Sequence, residues 1–551
     1  MSEGTTQPAQ KATGAGRGVL YIAFAKFYFM FAGLFVQVRL PALLSRAAFG
    51  AYSLVASIAS FVNNVIVTGT IQTVSRFSAR EPGKARAIQH AGLRMHVRLG
   101  LPIAIGFIAS APIVAHFILL DDAKTAPLML AGLIVGGYSF YAVFVGTANG
   151  LHEFHKQAGL DISFATLRVA GLLGMAMAGL GVVGVIGGWV AAVGVILCAA
   201  VVWVGLPGKI AEGERLPVRP MIAYFASVAT YLTLFNALMF VDSVLIKRFA
   251  TIYFEDHAAR LAGALEGTLP WAAHATGYHA DPSTLADVQN AYYAAVQNLA
   301  RLSYQAIIAA TFVVFPLVSK STFSEDRETT RKYIEVTSRY SLMFAMAIAV
   351  VMASNPVDVL GLVYAPDYAQ LGGPALVWLA FGNVAFSVFA INGTILNGAG
   401  RTRDAIAVAG LTVALAFAGN WIAIPRAAEA GRTLEVAAIV TSGAMVVGAL
   451  ASFALLRRTF GAGLPLVSVV RIAIATAAAF AVGRVIPIGA VQPTGADLWE
   501  VAHRSKLMTL VVAVAVGVTF LVVLVATREL GARDLAAIKA VRKKRAPGEA
   551  S

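Results

Sequence analysis

The feature that most constrains this chain is a succession of apolar runs, each about long enough to cross a lipid bilayer. A bilayer core of about 30 Å requires about 20 mostly apolar residues in a helix. Fourteen such runs lie near positions 19–44, 48–70, 97–119, 126–149, 160–179, 183–205, 221–248, 288–317, 338–363, 372–396, 404–424, 434–456, 466–486 and 507–527. The alternating pattern of a lipid-facing barrel is absent from the sequence. The chain is therefore predicted to be an all-α polytopic membrane protein with about 14 transmembrane helices.

Composition supports a membrane protein and argues against a nucleic-acid partner. Hydrophobic residues make up 58% of the 551 residues, charged residues only 13%, and the mean hydropathy is +0.75. Soluble domains have about 45–50% apolar and about 25% charged residues. The net charge of +15 is best explained by Lys and Arg in the cytoplasmic loops of a polytopic protein. No nucleic-acid binding is expected.

The residues that carry most enzymatic and metal chemistry are scarce in this sequence. Cys198 is the only cysteine, which excludes a disulfide framework and a cysteine-based metal site. His152 and His155 lie close together but have no third metal ligand nearby in the sequence. No phosphate-binding Walker pattern and no Ser-His-Asp set stands out. We therefore predict no metal site, no cofactor, no catalytic residues and no enzymatic activity.

The distribution of basic residues predicts the orientation of the chain. With a cytoplasmic N-terminus, the segments on the cytoplasmic side contain 29 Lys and Arg and the opposite loops contain 11. This bias is the one expected when both termini are cytoplasmic and the number of spans is even. The basic loops and the basic C-terminal tail are predicted to contact anionic lipids.

Two pairs of similar sequence segments predict an internal repeat. The segment "AYSLVASIASF" begins at Ala51 and "AYYAAVQNLARL" begins at Ala291; "TANGLHEFHK" begins at Thr147 and "ILNGAGRTRD" at Ile395. Two six-helix halves with the same orientation would be related by a pseudo-twofold axis along the membrane normal. The predicted organisation is a disordered N-tail at 1–17, a first lobe at 18–205, a linker at 206–220, a second lobe at 221–456 with an outside loop at 250–287, two further helices at 457–527, and a basic tail at 528–551.

Several of these segments resemble a known family of transporters. The segment "RLPALLSRAAFGAYSLVASIASF" (39–61) resembles the first loop of polysaccharide flippases, and "YYAAVQNLARLSYQAIIAATFVVFPLVSK" (292–320) is similar to their eighth helix. "LVYAPDYAQ" (362–370) and "ILNGAGRTRD" resemble the segments that follow their ninth and tenth helices. The order and spacing of these segments, rather than one diagnostic motif, indicate the multidrug/oligosaccharidyl-lipid/polysaccharide (MOP) exporter superfamily.

The resemblance implies a flippase for a polyprenyl-pyrophosphate-linked oligosaccharide in the bacterial cytoplasmic (inner) membrane. It implies alternating access of the two lobes, driven by an ion gradient or by the membrane potential rather than by ATP. Polysaccharide polymerase or export machinery would be a partner. The outside loop at 250–287 is longer than is usual in the family.

Arg301 is the leading candidate for substrate binding. It lies within a run of spanning length, where an arginine that faces lipid costs at least about 2.5 kcal/mol. Tyr293, Gln297, Arg301 and Gln305 recur every four residues and therefore share one helix face. This polar stripe favours a water-filled cavity, where a planar guanidinium would match the pyrophosphate oxygens. The alternative is a structural arginine bound to a carbonyl or a carboxylate.

Other charged groups within the spans are weaker candidates. Lys26 shares a stripe with Gln37 and is predicted either to reach the cavity or to extend to the cytoplasmic surface. Arg168 lies seven residues after Asp161, so it either pairs with that carboxylate or contacts substrate. Asp242 either pairs with Arg301, Lys247 or Arg248, or acts as an ion-coupling group.

Two other functions are weighed against the flippase. A drug or cation antiporter of the same superfamily would need intramembrane carboxylates, and here Asp161 and Asp242 are outnumbered by basic groups. A membrane-embedded glycosyltransferase or glycan polymerase would need catalytic acids, for which the outside loop offers Glu255, Asp256, Glu266 and Asp281. A solvated surface also explains the acids of this loop.

Overall fold

A computed structural model describes residues 11–211, 214–257, 281–305, 307, 327–486 and 498–531 of the chain. These residues form α-helices joined by short turns and contain no β-strand. The predicted all-α polytopic fold class is therefore confirmed.

The described residues up to residue 300 form ten α-helices. They are α1 (Lys11–Leu43), α2 (Arg46–Arg80), α3 (Ala85–Arg98), α4 (Gly100–Ile113), α5 (Thr125–Gly150), α6 (Phe154–Met177), α7 (Gly181–Val204), α8 (Arg219–Ala237), α9 (Val241–Asp256) and α10 (Pro282–Ala300). A π-helical segment at Val114–Ile118 extends α4, and a short 3₁₀ helix at Asp122–Lys124 precedes α5.

Seven further α-helices follow in the part of the chain after residue 300 that the structure describes. They are α11 (Arg327–Ser354), α12 (Pro356–Gly361), α13 (Pro366–Gly398), α14 (Thr402–Glu429), α15 (Thr433–Phe460), α16 (Leu466–Val485) and α17 (Leu498–Ala526). Residues 258–280 of the predicted outside loop, including Glu266, lie outside the described residues, as do the tails at 1–10 and 532–551.

Most of the predicted spans correspond to helices of suitable length and composition. Among the described residues, 11 helical spans are long and apolar enough to cross a membrane, and 12 if α8 and α9 form one span. The first predicted run lies in α1, and the eighth begins in α10 and continues into residues outside the described part. The count of 14 is not confirmed.

The seventh predicted run is broken, because α8 and α9 meet at an angle of 47°. At the break, Met239 and Phe240 donate their backbone N–H groups to carbonyls three residues earlier, as in a tight turn. The Asn236 side chain donates to the Leu232 carbonyl and accepts a 3.0 Å hydrogen bond from Asn64 of α2. A polar side chain bonded to the backbone ladder is one cause of such kinks.

The ninth predicted run, 338–363, is also broken. Helix α11 ends at Ser354, and Pro356 begins the short helix α12. A proline has no N–H to donate and disfavours a helical conformation in the residue before it. Asn355 has a ψ of 68°, which is outside the helical region. Its side chain donates to the Gly483 carbonyl of α16, which holds the break in place.

The described residues divide into two compact units. Unit 1 comprises Met1–Ala294 and Val413–Ala437. In it α2 packs along α5, and α6 packs between α1 and α7. Small residues allow this close approach: a Cβ on Gly171 of α6 would lie 2.3 Å from the Gly188 carbonyl oxygen of α7. Such contacts between small residues are typical of helix packing in membranes.

Unit 2 comprises Ala295–Thr412 and Ala438–Ser551. Its described helices include α11 packed on α13 and α16, and α16 packed on α17. Glu529, after α17, is buried and forms ion pairs with Arg339 of α11 at 2.8 Å and with Arg471 of α16 at 3.4 Å. The lobes predicted from the repeat at 18–205 and 221–456 stay a prediction.

Candidate functional site

A groove between α1 and α6 within unit 1 is lined by one of the predicted cationic residues, Arg168. It is shallow and partly open, with a cavity volume of about 10 Å³, room for about one water molecule. Its lining residues recur at helical spacing on each element and are Phe29, Ala32, Gly33 and Val36 from α1 and Ala165, Arg168 and Val169 from α6. A Cβ on Gly33 would have no atom within 4 Å, so this glycine leaves the groove wide.

Lys26 pairs with Asp161 beside this groove. Its Nζ lies 2.8 Å from Asp161 Oδ2, and the lysine side chain is 46% exposed while the carboxylate is 12% exposed. The hydroxyls of Tyr28 and Thr166 also lie 2.8 Å apart, so two polar contacts join α1 to α6. The alternative in which Asp161 pairs with Arg168 is wrong, because the lysine on α1 occupies that carboxylate. Gln37, two turns after Phe29 on α1, is half-buried.

Arg168 places a positive charge on the wall of the groove. The guanidinium lies 4.3 Å from the centre of the Trp189 ring, and the indole N–H donates to the Tyr138 hydroxyl at 3.2 Å. Arg168 pairs with no carboxylate within the described part of the chain. Its Nε is inaccessible and has no hydrogen-bond partner among the described residues, and the hydroxyl of the buried Tyr52 lies close enough to interact with the guanidinium. Stacking on an aromatic ring fixes the guanidinium plane and leaves its edge available to an anion.

The Arg301 stripe belongs to a different part of the chain. Arg301 follows α10, is half-buried, and donates from Nη2 to Gln297 Oε1 at 3.1 Å. Gln297 is buried and Gln305 is half-buried. The exposure of the side chains in this stripe therefore increases from Gln297 to Arg301 and Gln305. The four-residue spacing places Arg301 against Gln297 as the sequence indicates, whereas the predicted contact of this stripe with substrate remains a prediction.

Asp242 and Tyr293 form a buried pair in unit 1. The tyrosine hydroxyl donates to Asp242 Oδ2 at 2.7 Å, and both side chains are almost completely inaccessible. Two of the cations predicted as partners of Asp242 have other contacts. Lys247 pairs with Asp121 and Asp287, and Arg248 donates to the backbone carbonyls of Phe117 and Ile118.

The sequence analysis missed a buried cluster of four charges. Asp121, Lys124, Lys247 and Asp287, together with Ser283, are joined by short hydrogen bonds and ion pairs. Lys247 and Asp287 lie at the ends of predicted apolar runs, where charged residues usually mark the membrane surface. Lys247, which lies inside the predicted run 221–248, was the one sequence feature that could have indicated a buried charge. Its position in the sequence does not show which residues it pairs with.

The fold is similar to that of solved transporters, some of which are described as members of the MOP superfamily. A solved structure of the lipid II flippase MurJ in an inward closed conformation is similar with a TM-score of 0.66 at 11% identity, over 93% of this chain and 99% of that chain. A multidrug resistance MATE transporter of the MOP superfamily, in an inward-facing conformation, has a TM-score of 0.56 at 13% identity, over 79% of this chain and 94% of that chain.

A third similar structure is a MOP superfamily transporter from Pyrococcus furiosus, whose binding pocket is described as having reverse polarity. It has a TM-score of 0.55 at 14% identity, over 81% of this chain and 96% of that chain. No protein-family model matches the sequence, and no curated protein matches it. At these identities the likeness shows the fold, so the predicted resemblance to the superfamily is confirmed at the level of fold.

Proposed function

We propose that this protein is a MOP-fold transporter that moves a polyprenyl-pyrophosphate-linked oligosaccharide across the cytoplasmic membrane by alternating access. The observation that carries the proposal is the Arg168 guanidinium on the wall of the α1–α6 groove, with its buried Nε unpartnered in the described part of the chain. A positive charge within a membrane span is costly unless it has a function or a partner. A pyrophosphate supplies the partner that the groove does not.

The geometry of this arginine suits phosphate chemistry. Trp189 orients the guanidinium, and the buried Tyr52 hydroxyl is a second polar group next to it. Arginine binds phosphate oxygens through two parallel N–H donors, and such charge-assisted hydrogen bonds are stronger than neutral ones. Because Asp161 neutralises Lys26, the groove as a whole keeps one positive charge from Arg168. The predicted contact of Arg301 with substrate is kept as a separate part of the proposal.

The lengths of the similar structures also support a flippase over a drug exporter. The structure of the lipid II flippase covers 93% of this chain, and that of the multidrug transporter covers 79%. The difference is comparable with the length of 457–527, the segment that the sequence analysis assigned to two helices beyond the twelve of the lobes. Helices α16 and α17 account for most of that segment.

A drug or cation antiporter is the second candidate function, and Asp161 favours it. This carboxylate lies next to the groove, and it would bind a cationic substrate once separated from Lys26. In that case removal of Arg168 would leave transport unchanged or would increase the affinity for cations.

The test is transport by purified protein in proteoliposomes, with a fluorescent polyprenyl-pyrophosphate-linked oligosaccharide as substrate. Arg168→Ala is expected to reduce the initial flipping rate by about 10- to 100-fold, since a charged hydrogen bond contributes about 1.5–3 kcal/mol. Arg168→Lys should recover only part of the rate, because a lysine cannot bind phosphate in the bidentate manner.

Arg76→Ala is the matched control. Arg76 also stacks on an aromatic ring, at 4.4 Å from the centre of Tyr224, but it is exposed and lies away from the groove. The control should keep the full rate. Full activity of Arg168→Ala at equal protein content would overturn the proposal, and transport of organic cations by the same protein would replace it with the antiporter.

A further inference from the structure

The cluster of Asp121, Lys124, Lys247, Ser283 and Asp287, here called the latch, is one of the most thoroughly buried polar groups among the described residues. The Lys247 side chain is 0% exposed, and the three other charged side chains are no more than 8% exposed. Two lysines balance two aspartates, so the cluster is neutral as a whole. Its members come from the turn before α5, from α9 and from α10.

Each charged group of the latch has more than one partner. Lys124 Nζ lies 2.5 Å from Asp121 Oδ2 and 2.6 Å from Asp287 Oδ2. Lys247 Nζ lies 3.1 Å from Asp121 Oδ2 and 2.9 Å from Asp287 Oδ1. Ser283 accepts from Lys247 through its hydroxyl and its carbonyl, at 2.9 and 2.7 Å, and its hydroxyl donates to Asp121 at 2.5 Å. Asp287 Oδ1 lies close to Lys247 Nζ but accepts no hydrogen bond of good geometry within the described part of the chain, so this contact is an ion pair only.

The backbone around the latch is shaped to bring Asp121 into it. Helix α4 ends in the π-helical segment Val114–Ile118, and Leu120 has a φ of 55°. The left-handed region costs a residue such as leucine roughly 1–2 kcal/mol. Arg248 holds this turn from the other side by donating to the carbonyls of Phe117 and Ile118. Strain of this kind persists only where the surrounding contacts impose it, and it is concentrated at functional sites.

The latch joins two parts of the chain that the internal repeat assigns to different lobes. Asp121 and Lys124 belong to the predicted lobe 18–205, and the other three residues belong to the predicted lobe 221–456. In the structure α8, α9 and most of α10 form one compact unit with α1–α7. The backbones also meet closely here: a Cβ on Gly50 of α2 would lie 1.8 Å from the Asp287 carbonyl oxygen.

A buried ion cluster adds little to the free energy of folding, but it lowers the free-energy cost of separating the elements that it joins. The desolvation of the charges offsets much of their attraction, and an apolar replacement of similar volume is often at least as stable. Once the elements separate, water solvates all four charges and compensates for their lost partners. An apolar contact has no such compensation and resists opening.

We propose that the latch is the gate that closes one side of the transporter and that its charges separate when this side opens. The inference rests on the proposed function in one respect, which is the alternating access of the two predicted lobes. By the distribution of basic residues, the gated side is the outer one. Opening would separate the turn 119–124 from α9 and α10 and would expose all five residues together.

Hydrogen–deuterium exchange of the detergent-solubilised full chain tests the gate without reference to any substrate. Asp287→Asn removes one negative charge with little change in shape, and Ser283→Ala is a milder variant in case the first folds poorly. Both should raise the exchange rates of the peptides around 114–124, 241–256 and 283–294 together, by about tenfold or more for Asp287→Asn. Glu529→Gln is the matched control, because Glu529 is a buried acid between two cations within unit 2. It should raise exchange near itself and leave the three latch peptides unchanged.

A covalent lock tests the same gate through transport. In a Cys198→Ala background, Lys124→Cys and Asp287→Cys are joined by dibromobimane, which becomes fluorescent when both thiols have reacted. The crosslinked protein should lose at least nine-tenths of the transport rate that the same double-cysteine protein has before crosslinking. The reagent should leave each single-cysteine protein at the rate which that protein has untreated.

The two readouts separate the gate from the proposed substrate. If the uncrosslinked protein does not transport the lipid-linked oligosaccharide, the proposed function fails. The exchange experiment still tests whether the latch opens as a gate. The gate is overturned if Asp287→Asn changes exchange only in the peptide that contains residue 287, or if fully crosslinked protein transports at the normal rate.

Discussion

At the scale of single residues, the basic residues in or beside the membrane spans have two different kinds of surroundings. Arg168 and Arg301 are half-buried, and Arg168 has no acidic partner in the described part of the chain. Lys247 and Lys124 are enclosed by two aspartates. The surroundings of Arg168 leave its charge available to a ligand, whereas the two aspartates neutralise Lys247 and Lys124 within the protein. The surroundings of each cation therefore decide its role more than its position in an apolar run.

The latch is expected to make the stability of the folded protein fall at low pH. Burial alone would raise the pKa of Asp121, but Lys247 and Lys124 outweigh burial and lower this pKa to about 2. An unfolded aspartate has a pKa of about 3.9. The ionised carboxylate therefore stabilises the folded state fully above about pH 4, and this contribution is lost as the pH falls towards 2. We expect the thermal unfolding temperature in detergent to fall over that interval.

Asp121→Asn separates this effect from general acid denaturation. Removing one partner of a buried ion pair costs about 3 kcal/mol or more. The variant should therefore unfold at a lower temperature at pH 6, and its difference from the unaltered protein should shrink below pH 4. Glu81→Gln is the control, because Glu81 pairs with Lys84 on an exposed turn. A constant difference between Asp121→Asn and the unaltered protein from pH 6 to pH 2 would contradict the assignment.

At the scale of helices, breaks and close contacts define how the spans pack. The apolar runs predict where helices lie, but α8 and α9 are separate elements and α11 ends at Ser354, well before its run ends. The proline at position 356 is visible in the sequence as a breaker. The bend near Asn236 is not, because it involves a hydrogen bond from Asn64, 172 residues earlier. A break caused by a partner that is distant in sequence cannot be read from a local pattern.

Gly50 is the glycine whose replacement should most affect the packing around the latch. A Cβ at this position would lie 1.8 Å from the carbonyl oxygen and 2.6 Å from the carbonyl carbon of Asp287, and backbone atoms cannot move aside cheaply. Gly50→Ala is therefore expected to cost about 1–3 kcal/mol or more of stability.

Gly194→Ala in α7 is the control for Gly50→Ala, because no atom lies within 4 Å of its Cβ position. It should be neutral or slightly stabilising, since alanine favours a helix over glycine by about 1 kcal/mol. Both changes are measured as shifts in the thermal unfolding of purified protein. Equal shifts in unfolding temperature for the two variants would show that the backbones of α2 and α10 are farther apart than in the structure.

At the scale of the whole molecule, the fold is that of transporters of the MOP superfamily, and the orientation in the membrane is still a prediction. The basic residues place both termini in the cytoplasm and the turn at 119–124 outside. Fusions of alkaline phosphatase and of green fluorescent protein to the full chain and to chains ending at residues 90 and 121 would measure this. We expect fluorescence without phosphatase activity at 90 and 551, and the reverse at 121. Phosphatase activity at 551 would exclude an even number of spans with a cytoplasmic N-terminus.

The sequence by itself determined that the chain is helical, that it spans a membrane many times, and that its fold is that of the MOP superfamily. The first two properties follow from the length of the apolar runs, because backbone groups in lipid must be satisfied within a helix. The third was implied by the resemblance of several short segments to polysaccharide flippases. Only the tertiary structure decided which charges meet. Lys124 reaches Asp287 across 163 positions, and Lys247 reaches Asp121 across 126. Such pairs depend on how the helices pack. The sequence shows each charged residue at the end of an apolar run, but it does not show which residue of opposite charge will be its partner.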